Sequence, residues 1–245
     1  MAPAWTALSL LLLVACWHVA ALVAPAATLP PPSVVMAAMA EALIHGDLLH
    51  NLGVTLVRVA AAFVLALSLG AALGVAMGRV RALDRLLDGW VVFFLNLPAL
   101  VTAILCFVWF GLGEAAALAA VAVNKIPSVV VTLREGARAL DPGYDALARV
   151  YGFSWGKTLR HVTLPQLAPY LMAAARSGLA LIWKIVLVVE LLGRSDGIGF
   201  KLHVYFQSFD VTGILAYSLA FIVVVQVVEI AVLAPLDRKM AVWRG

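Results

Sequence analysis

Charge is what this chain has least of. Asp, Glu, Lys and Arg make up 12% of its 245 residues, against 64% hydrophobic residues, whereas about a quarter of a soluble domain is charged. So few charges cannot clothe a solvated globular surface, so an ordinary soluble domain is excluded and nucleic acid is not an expected partner. Cysteine is nearly absent. Cys16 and Cys106 both fall inside apolar runs, which argues against a structural disulfide and for small buried hydrophobes. The five histidines are scattered, and no cluster has metal-ligand spacing. No H-E-x-x-H, paired carboxylates or Ser/His/Asp arrangement stands out, so catalysis by this polypeptide is not expected. Gly156-Lys157-Thr158 resembles the end of a phosphate-binding loop, G-x-x-x-x-G-K-[ST]. However, Tyr151 stands where the first glycine belongs, and short helices rather than a strand flank it. No cofactor is expected to bind this chain.

What the chain does have is long apolar runs. Mean hydropathy is +1.05, and 245 residues hold about half a dozen spans of about 20 residues each. The expected fold is all-α and polytopic, with six transmembrane helices. The first run, residues 5–24, is followed by small residues that would suit a cleaved leader. Its length and its lack of a preceding basic residue favour a retained span. Pro25, Pro30, Pro31 and Pro32 then make a stiff exit into a mildly amphipathic stretch, 33–50. The second span is expected over 53–77, where Ala62, Ala66, Gly70, Gly74 and Gly78 recur every four residues and offer a smooth face for close helix approach. The third covers 89–110, kinked or broken near Pro98. The fourth covers 115–133, with Pro127 inside it. The fifth is 170–192, a loop is expected over 193–210, and the sixth is 211–233.

Between the fourth and fifth spans lies the longest polar interruption, residues 141–169. Asp141-Pro142 reads as an N-cap with proline at the first helical position, and Ser154 can cap a second short helix after a turn at Gly152. Leu164-Pro165 is expected to stop that helix before the fifth span. Basic residues concentrate on this side. Three follow the second span (Arg79, Arg81, Arg85), five lie in or just before the central segment, and three end the tail, eleven in all. The opposite loops hold only Arg194 and Lys201. The positive-inside rule therefore places both termini and the central segment in the cytoplasm.

Charges within spans cost at least about 2.5–3.5 kcal/mol on the insertion scale and ask for a reason. Arg58 lies near enough to its expected span end to snorkel. Lys125 lies deeper and forms a stripe with Ser128 and Thr132, with Asn124 alongside. On the fifth span Arg176, Lys184 and Glu190 fall within a 120° arc at 100° per residue. Lys125, Ser128, Thr132, Arg176, Lys184 and Glu190 are candidates for lining a polar substrate path, with pairing to neighbouring helices as the alternative. The surplus of cations hints at an anionic or zwitterionic solute, though Glu229 could supply a counter-charge.

The central segment resembles the cytoplasmic "EAA" loop of ATP-binding-cassette importer permeases, E-A-A-x-x-x-G-x9-I-x-L-P. Anchored on Gly152 and Pro165, Ala148 matches the second alanine, Val162 the branched aliphatic, and Leu164-Pro165 the closing pair. Ala146 stands where the family has Glu, and Asp145 falls one place earlier. Further stretches are similar to the nitrate, sulfonate and taurine branch. These are Leu29-Pro30 to Ser33, Gly53-Val54-Thr55-Leu56 with Arg58, Leu97-Pro98-Ala99-Leu100, Trp109-Phe110-Gly111-Leu112-Gly113, Glu190-Leu191-Leu192-Gly193 and residues 194–200.

The resemblance implies a type I importer permease in a bacterial inner membrane. It implies a second permease copy as partner, a homodimer, with two ATP-binding cassette subunits holding ATP and Mg below and a periplasmic solute-binding protein above. Residues 1–50 would form the first helix and a periplasmic segment, 51–235 the permease domain, and 236–245 a cytoplasmic tail. Coupling would fall to Asp145, Ala146, Ala148, Gly152, Val162, Leu164 and Pro165. A secondary transporter or a purely structural membrane subunit stands as the rival class, and a pyrimidine vitamin precursor or aromatic carboxylate as the rival cargo.

Overall fold

A backbone in hydrocarbon has no water to bond, so each apolar run must satisfy its own N–H and C=O groups, and here each does so as a helix. A computed structural model describes residues 3–233 and 235, and all regular structure among them is helical. The order is α1 (Pro3–Val23), α2 (Pro32–Ile44), α3 (Leu48–Arg79), α4 (Arg81–Leu95), α5 (Ala99–Phe110), α6 (Glu114–Arg138), α7 (Pro142–Val150), α8 (Trp155–Thr158), α9 (Leu164–Gly193), α10 (Ile198–Gln207) and α11 (Val211–Val228). Among the described residues, five stretches are long and apolar enough to cross a membrane: Trp5–Val23, Leu48–Arg79, Glu114–Arg138, Trp155–Gly193 and Val211–Ala231. The pair α4 and α5, bent by 99° at 96–98, makes the sixth when counted as one broken span. Pro98 cannot donate into a continuing helix, and the half-buried Leu97 carbonyl accepts from Asn124 Nδ2 of α6 at 3.3 Å.

The seam between α3 and α6 organises the bundle, and the four-residue glycine stripe is what permits it. A Cβ on Gly70 would lie 2.6 Å from Val129 Cβ, one on Gly74 2.6 Å from the Val130 carbonyl, and one on Gly78 2.6 Å from Ala137 Cβ. The helices thus approach at backbone distance, where dispersion replaces the hydrophobic drive that lipid cannot supply. On the other side of α6, α9 packs with Gly136 against the Tyr170 ring. The main core gathers Val59 and Ala62 of α3, Ala120 and Val121 of α6, Ile182 and Val186 of α9, and Tyr217 of α11. Helix α1 stands apart with most of the side chains from Trp5 to Val23 exposed, tied to the exit by half-buried Trp17, whose Nε1 donates to the Pro30 carbonyl at 3.1 Å.

Three expectations are corrected. Leu164-Pro165 does not end a helix. Pro165 sits in the first turn of α9, where its missing N–H costs nothing, and a π-helical turn over Leu159–Thr163 carries the chain from α8 into α9 without a break. The stretch 193–210 is not all loop, since α10 occupies its middle, capped by long-range side chains described below. Arg58 does not snorkel. Helix α3 starts at Leu48, five residues before the expected 53, which puts Arg58 about three turns inside it and 4% exposed. The tail 236–245, with Asp237, Arg238, Lys239 and Arg244, lies outside the described residues.

Candidate functional site

The central segment folds into a hook whose joints are legible one by one. Asp141 Oδ1 accepts from the Gly143 N–H at 2.7 Å, and the Asp141 N–H donates to Gln166 Oε1 at 3.0 Å, fixing the start of α7 to α9. At its end, Gly152 takes φ +62°. The Phe153 N–H then donates to the Ala148 carbonyl at 2.9 Å and the Gly152 N–H to the Arg149 carbonyl at 3.0 Å. This is the paired bond pattern of a Schellman C-cap, which requires a left-handed residue. Ser154 Oγ then accepts from the Lys157 N–H at 3.4 Å to start α8. Ala148 is buried and Val162 half-buried, whereas Ala146, Leu164 and Pro165 are exposed. Asp145 Oδ2 takes Arg79 Nη1 at 2.9 Å, which joins the hook to the last turn of α3.

Sequence reasoning weighed this hook by its positive charge and missed its apolar face. Tyr144, Leu147, Val150, Tyr151 and Trp155 are all exposed, Val150 at 83% and Trp155 at 81%. Their signal was the spacing within α7, where 144, 147 and 151 share one side of the helix.

At the opposite end of the bundle, Arg58 gathers three carboxylates from three separate elements. Its Nε donates to Glu114 Oε2 at 2.9 Å, its Nη1 to Glu190 Oε1 at 2.8 Å, and its Nη2 pairs with Asp196. Arg194 Nη2 adds a bond to Glu114 at 2.7 Å. Glu190 is fully buried. Its Oε2 accepts from Thr55 Oγ1 and from the Gly199 N–H, both at 2.9 Å. The Ile198 N–H donates to Thr55 Oγ1 at 2.9 Å and the Gly197 N–H to Asn51 Oδ1 at 2.8 Å. Side chains from α3 and α9 thereby satisfy the first turn of α10, whose N–H groups have no partner within their own helix. Nearby, Asp47 receives Lys201 at 2.8 Å and the Tyr217 hydroxyl. Partial burial alone would raise its pKa. The bonds from Lys201 and Tyr217 outweigh that and hold the carboxyl below its ordinary value of 3.8.

The polar residues expected along a substrate path separate into two groups. Arg176 and Lys184 line one cavity of about 500 Å³ between α9, α10 and α11, together with Trp183, Ser218, Gln226 and Glu229. Glu190 turns away from it into the Arg58 cluster. Lys125 is 3% exposed and packs its stem against Gly178 of α9, with no acceptor among the described residues. Ser128 and Thr132 spend their hydroxyls on carbonyls of their own helix, at 3.1 and 3.0 Å. Ser218, Gln226 and the Trp183–Phe221 ring pair, 5.6 Å apart and edge to face, complete the cavity. Nothing local in α11 marked Ser218, Phe221 or Gln226.

Comparison with known proteins places this geometry. Residues 66–241 match the family described as binding-protein-dependent transport system inner membrane component. A putative aliphatic sulfonates transport permease protein, SsuC of Bacillus subtilis, is 27% identical over 223 residues, covering 91% of this chain and 80% of that protein. The taurine transport system permease protein TauC of Escherichia coli is 25% identical over 222 residues, 89% of this chain and 80% of its own length. The bicarbonate transport system permease protein CmpB of Synechococcus elongatus is 28% identical over 162 residues, 66% and 58%. In structure the chain is similar to a chain of the MetNI methionine ABC transporter in an inward-facing conformation. That match has TM-score 0.67 and 18% identity, and covers 82% of this chain and 97% of that one. The chain thus belongs to the binding-protein-dependent transport system inner membrane components, as a membrane-embedded permease subunit of an ATP-binding-cassette importer.

Proposed function

We propose that this permease, paired with a second copy of itself, forms the path for a small anionic or zwitterionic solute such as a sulfonate, taurine or bicarbonate. The observation that carries the reading is Lys184. It lies nine residues, about 13 Å of helix, inside the outer end of α9. It is exposed on the chain's surface and has no acceptor among the described residues. An ammonium group at that depth cannot face lipid. It must face water or protein, and a twin chain set against α9 and α11 would close the cavity into a lined conduit. Arg176 and Lys184 outnumber Glu229 there, which favours anionic cargo. The SsuC, TauC and CmpB names point to sulfonates, taurine and bicarbonate, and support the same class.

The hook would take the drive. Its uncovered apolar face would suit a docking groove on the ATP-binding subunit, which would hold ATP and Mg. Asp145, Ala146, Ala148, Gly152, Val162, Leu164 and Pro165 would set its angle. Closure of the ATPase pair would pull on residues 141–165 and reverse which side of the conduit is open. Both termini and the hook would then lie in the cytoplasm, an orientation that the eleven basic residues on that side support, and a periplasmic binding protein would deliver the solute from above. A second cargo is favoured by one observation. The Trp183–Phe221 pair beside Lys184 suits an aromatic carboxylate, whose ring would stack where its charge is met.

Uptake into proteoliposomes bearing the full complex tests both parts. Lys184→Ala should cut ATP-driven uptake of a sulfonate at least about tenfold, the scale of one lost charged contact, while the ATPase subunit still co-purifies. Gly152→Pro should lose the ATPase subunit itself. Undiminished uptake in Lys184→Ala would remove the anion path, and an intact complex in Gly152→Pro would remove the hook.

A further inference from the structure

We propose that the outward face of α4 binds one anionic phospholipid, with the headgroup phosphate held by Arg81 and Arg85 and an acyl chain laid in the groove at Gly89. Residues 81, 85, 89 and 93 recur every fourth position, so they form one continuous stripe, and all four are exposed. At Gly89 the stripe loses its side chain. A Cβ there would meet no atom within 4 Å, and the gap floors an apolar groove of about 290 Å³ walled by Trp90, Phe93 and Phe94. The rings of Phe93 and Phe94 meet edge to face at 5.4 Å, which stiffens one wall.

The two carboxylates of α4 are already engaged by α6, where Asp84 pairs with Arg134 and Arg138 and Asp88 with Arg134. Its two arginines have no acceptor among the described residues. Helical side chains lean toward the N-terminus, and long basic ones reach for the polar boundary. Both guanidinium groups are therefore carried away from the groove, toward the junction at Val80. The site asks for an occupant that is anionic at one end and apolar along the next 12 Å or so, the rise from residue 81 to 89. A phospholipid meets both demands. A free anion would leave the groove uncovered. A second copy of this chain would bring to the same face carboxylates already engaged with Arg134 and Arg138.

Native mass spectrometry of the purified transporter complex, titrated with phosphatidylglycerol and with phosphatidylcholine, reads this directly. The unaltered complex should retain phosphatidylglycerol preferentially. Arg81→Gln with Arg85→Gln should reduce that preference about thirtyfold, each basic residue at an anionic surface contributing roughly fivefold. Gly89→Leu should weaken both lipids and leave the headgroup preference in place. Phosphatidylglycerol with brominated chains should quench more fluorescence in the unaltered complex than in Trp90→Phe. Equal preference in the double variant, full lipid retention in Gly89→Leu, or displacement by glycerol phosphate alone would each overturn the assignment. So would a Phe93→Cys variant that cross-links to its twin.

Discussion

Arg58 shows how a single residue's surroundings can lie beyond local reading. Its carboxylate partners Glu114, Glu190 and Asp196 are 56, 132 and 138 positions away, so no window of sequence contains the reason it is buried. What was legible was the anomaly, a cation in an apolar run. Removing it would leave Glu190 buried without a counter-charge, a change that typically costs about 3–5 kcal/mol. Arg58→Leu is expected to lower the melting temperature of the purified complex markedly. Arg58→Leu with Glu190→Gln should recover much of that loss, because the lone buried charge is gone while an acceptor remains for Thr55 and the Gly199 N–H. Asp47 offers a milder test with a definite sign. Its folded pKa is depressed, so its contribution is complete above 3.8 and is lost as pH falls through the lower folded value. The group is half exposed, so screening limits the effect to about 1 kcal/mol or less. Asp47→Asn should melt lower than the parent at pH 7, and a pH series of thermal melts should show the gap narrowing below pH 3.8.

At the scale of elements, periodicity spoke clearly where one helix decides its own fate and poorly where another helix decides it. The four-residue recurrence of Ala62, Ala66, Gly70, Gly74 and Gly78 foretold a close seam, and α6 fills it. The broken third span was legible in Pro98. The reading failed at Pro165 and α10 for a common reason. Proline marks a helix start as readily as a stop, depending on its register within the first turn, and the start of α10 is set by side chains of α3 and α9. The seam makes a paired prediction. Gly74→Ala drives a methyl to 2.6 Å from the Val130 carbonyl and 3.0 Å from Leu133 Cβ, so it should destabilise by about 1–3 kcal/mol through overpacking. Gly53→Ala, on the same helix but with open space around it, should be neutral or stabilise by up to about 1 kcal/mol. Thermal denaturation of the two variants side by side checks the contrast.

Across the whole molecule, composition and charge distribution carried the class. The ordered motifs carried the family, because a membrane chain has few ways to hide its spans or a long polar interruption. The cavity was legible only in part. Arg176 and Lys184 stood out as charges, whereas Ser218, Gln226 and Phe221 came from a helix that reads as uniformly apolar. Over the same scale, the Arg79–Asp145 pair at 2.9 Å links the hook to α3, and the glycine seam links α3 to α6. Force applied at the hook therefore reaches the bundle through a second route besides the unbroken run from α8 into α9. Arg79→Asp and Asp145→Arg singly should lower uptake per ATP hydrolysed, and the two together should restore part of it. Transport and hydrolysis measured on the same proteoliposomes would reveal the exchange.

The first turn of α10 has a consequence for how the protein is made. Its acceptors on Asn51 and Thr55 are translated some 140 residues earlier, and the Glu190 carboxylate is in place just before it emerges. That turn can settle only after α3 and α9 have met in the bilayer. A copy with a misinserted helix would be left with bare amide donors and a stranded guanidinium about three turns inside α3, a blemish that quality-control proteases can recognise.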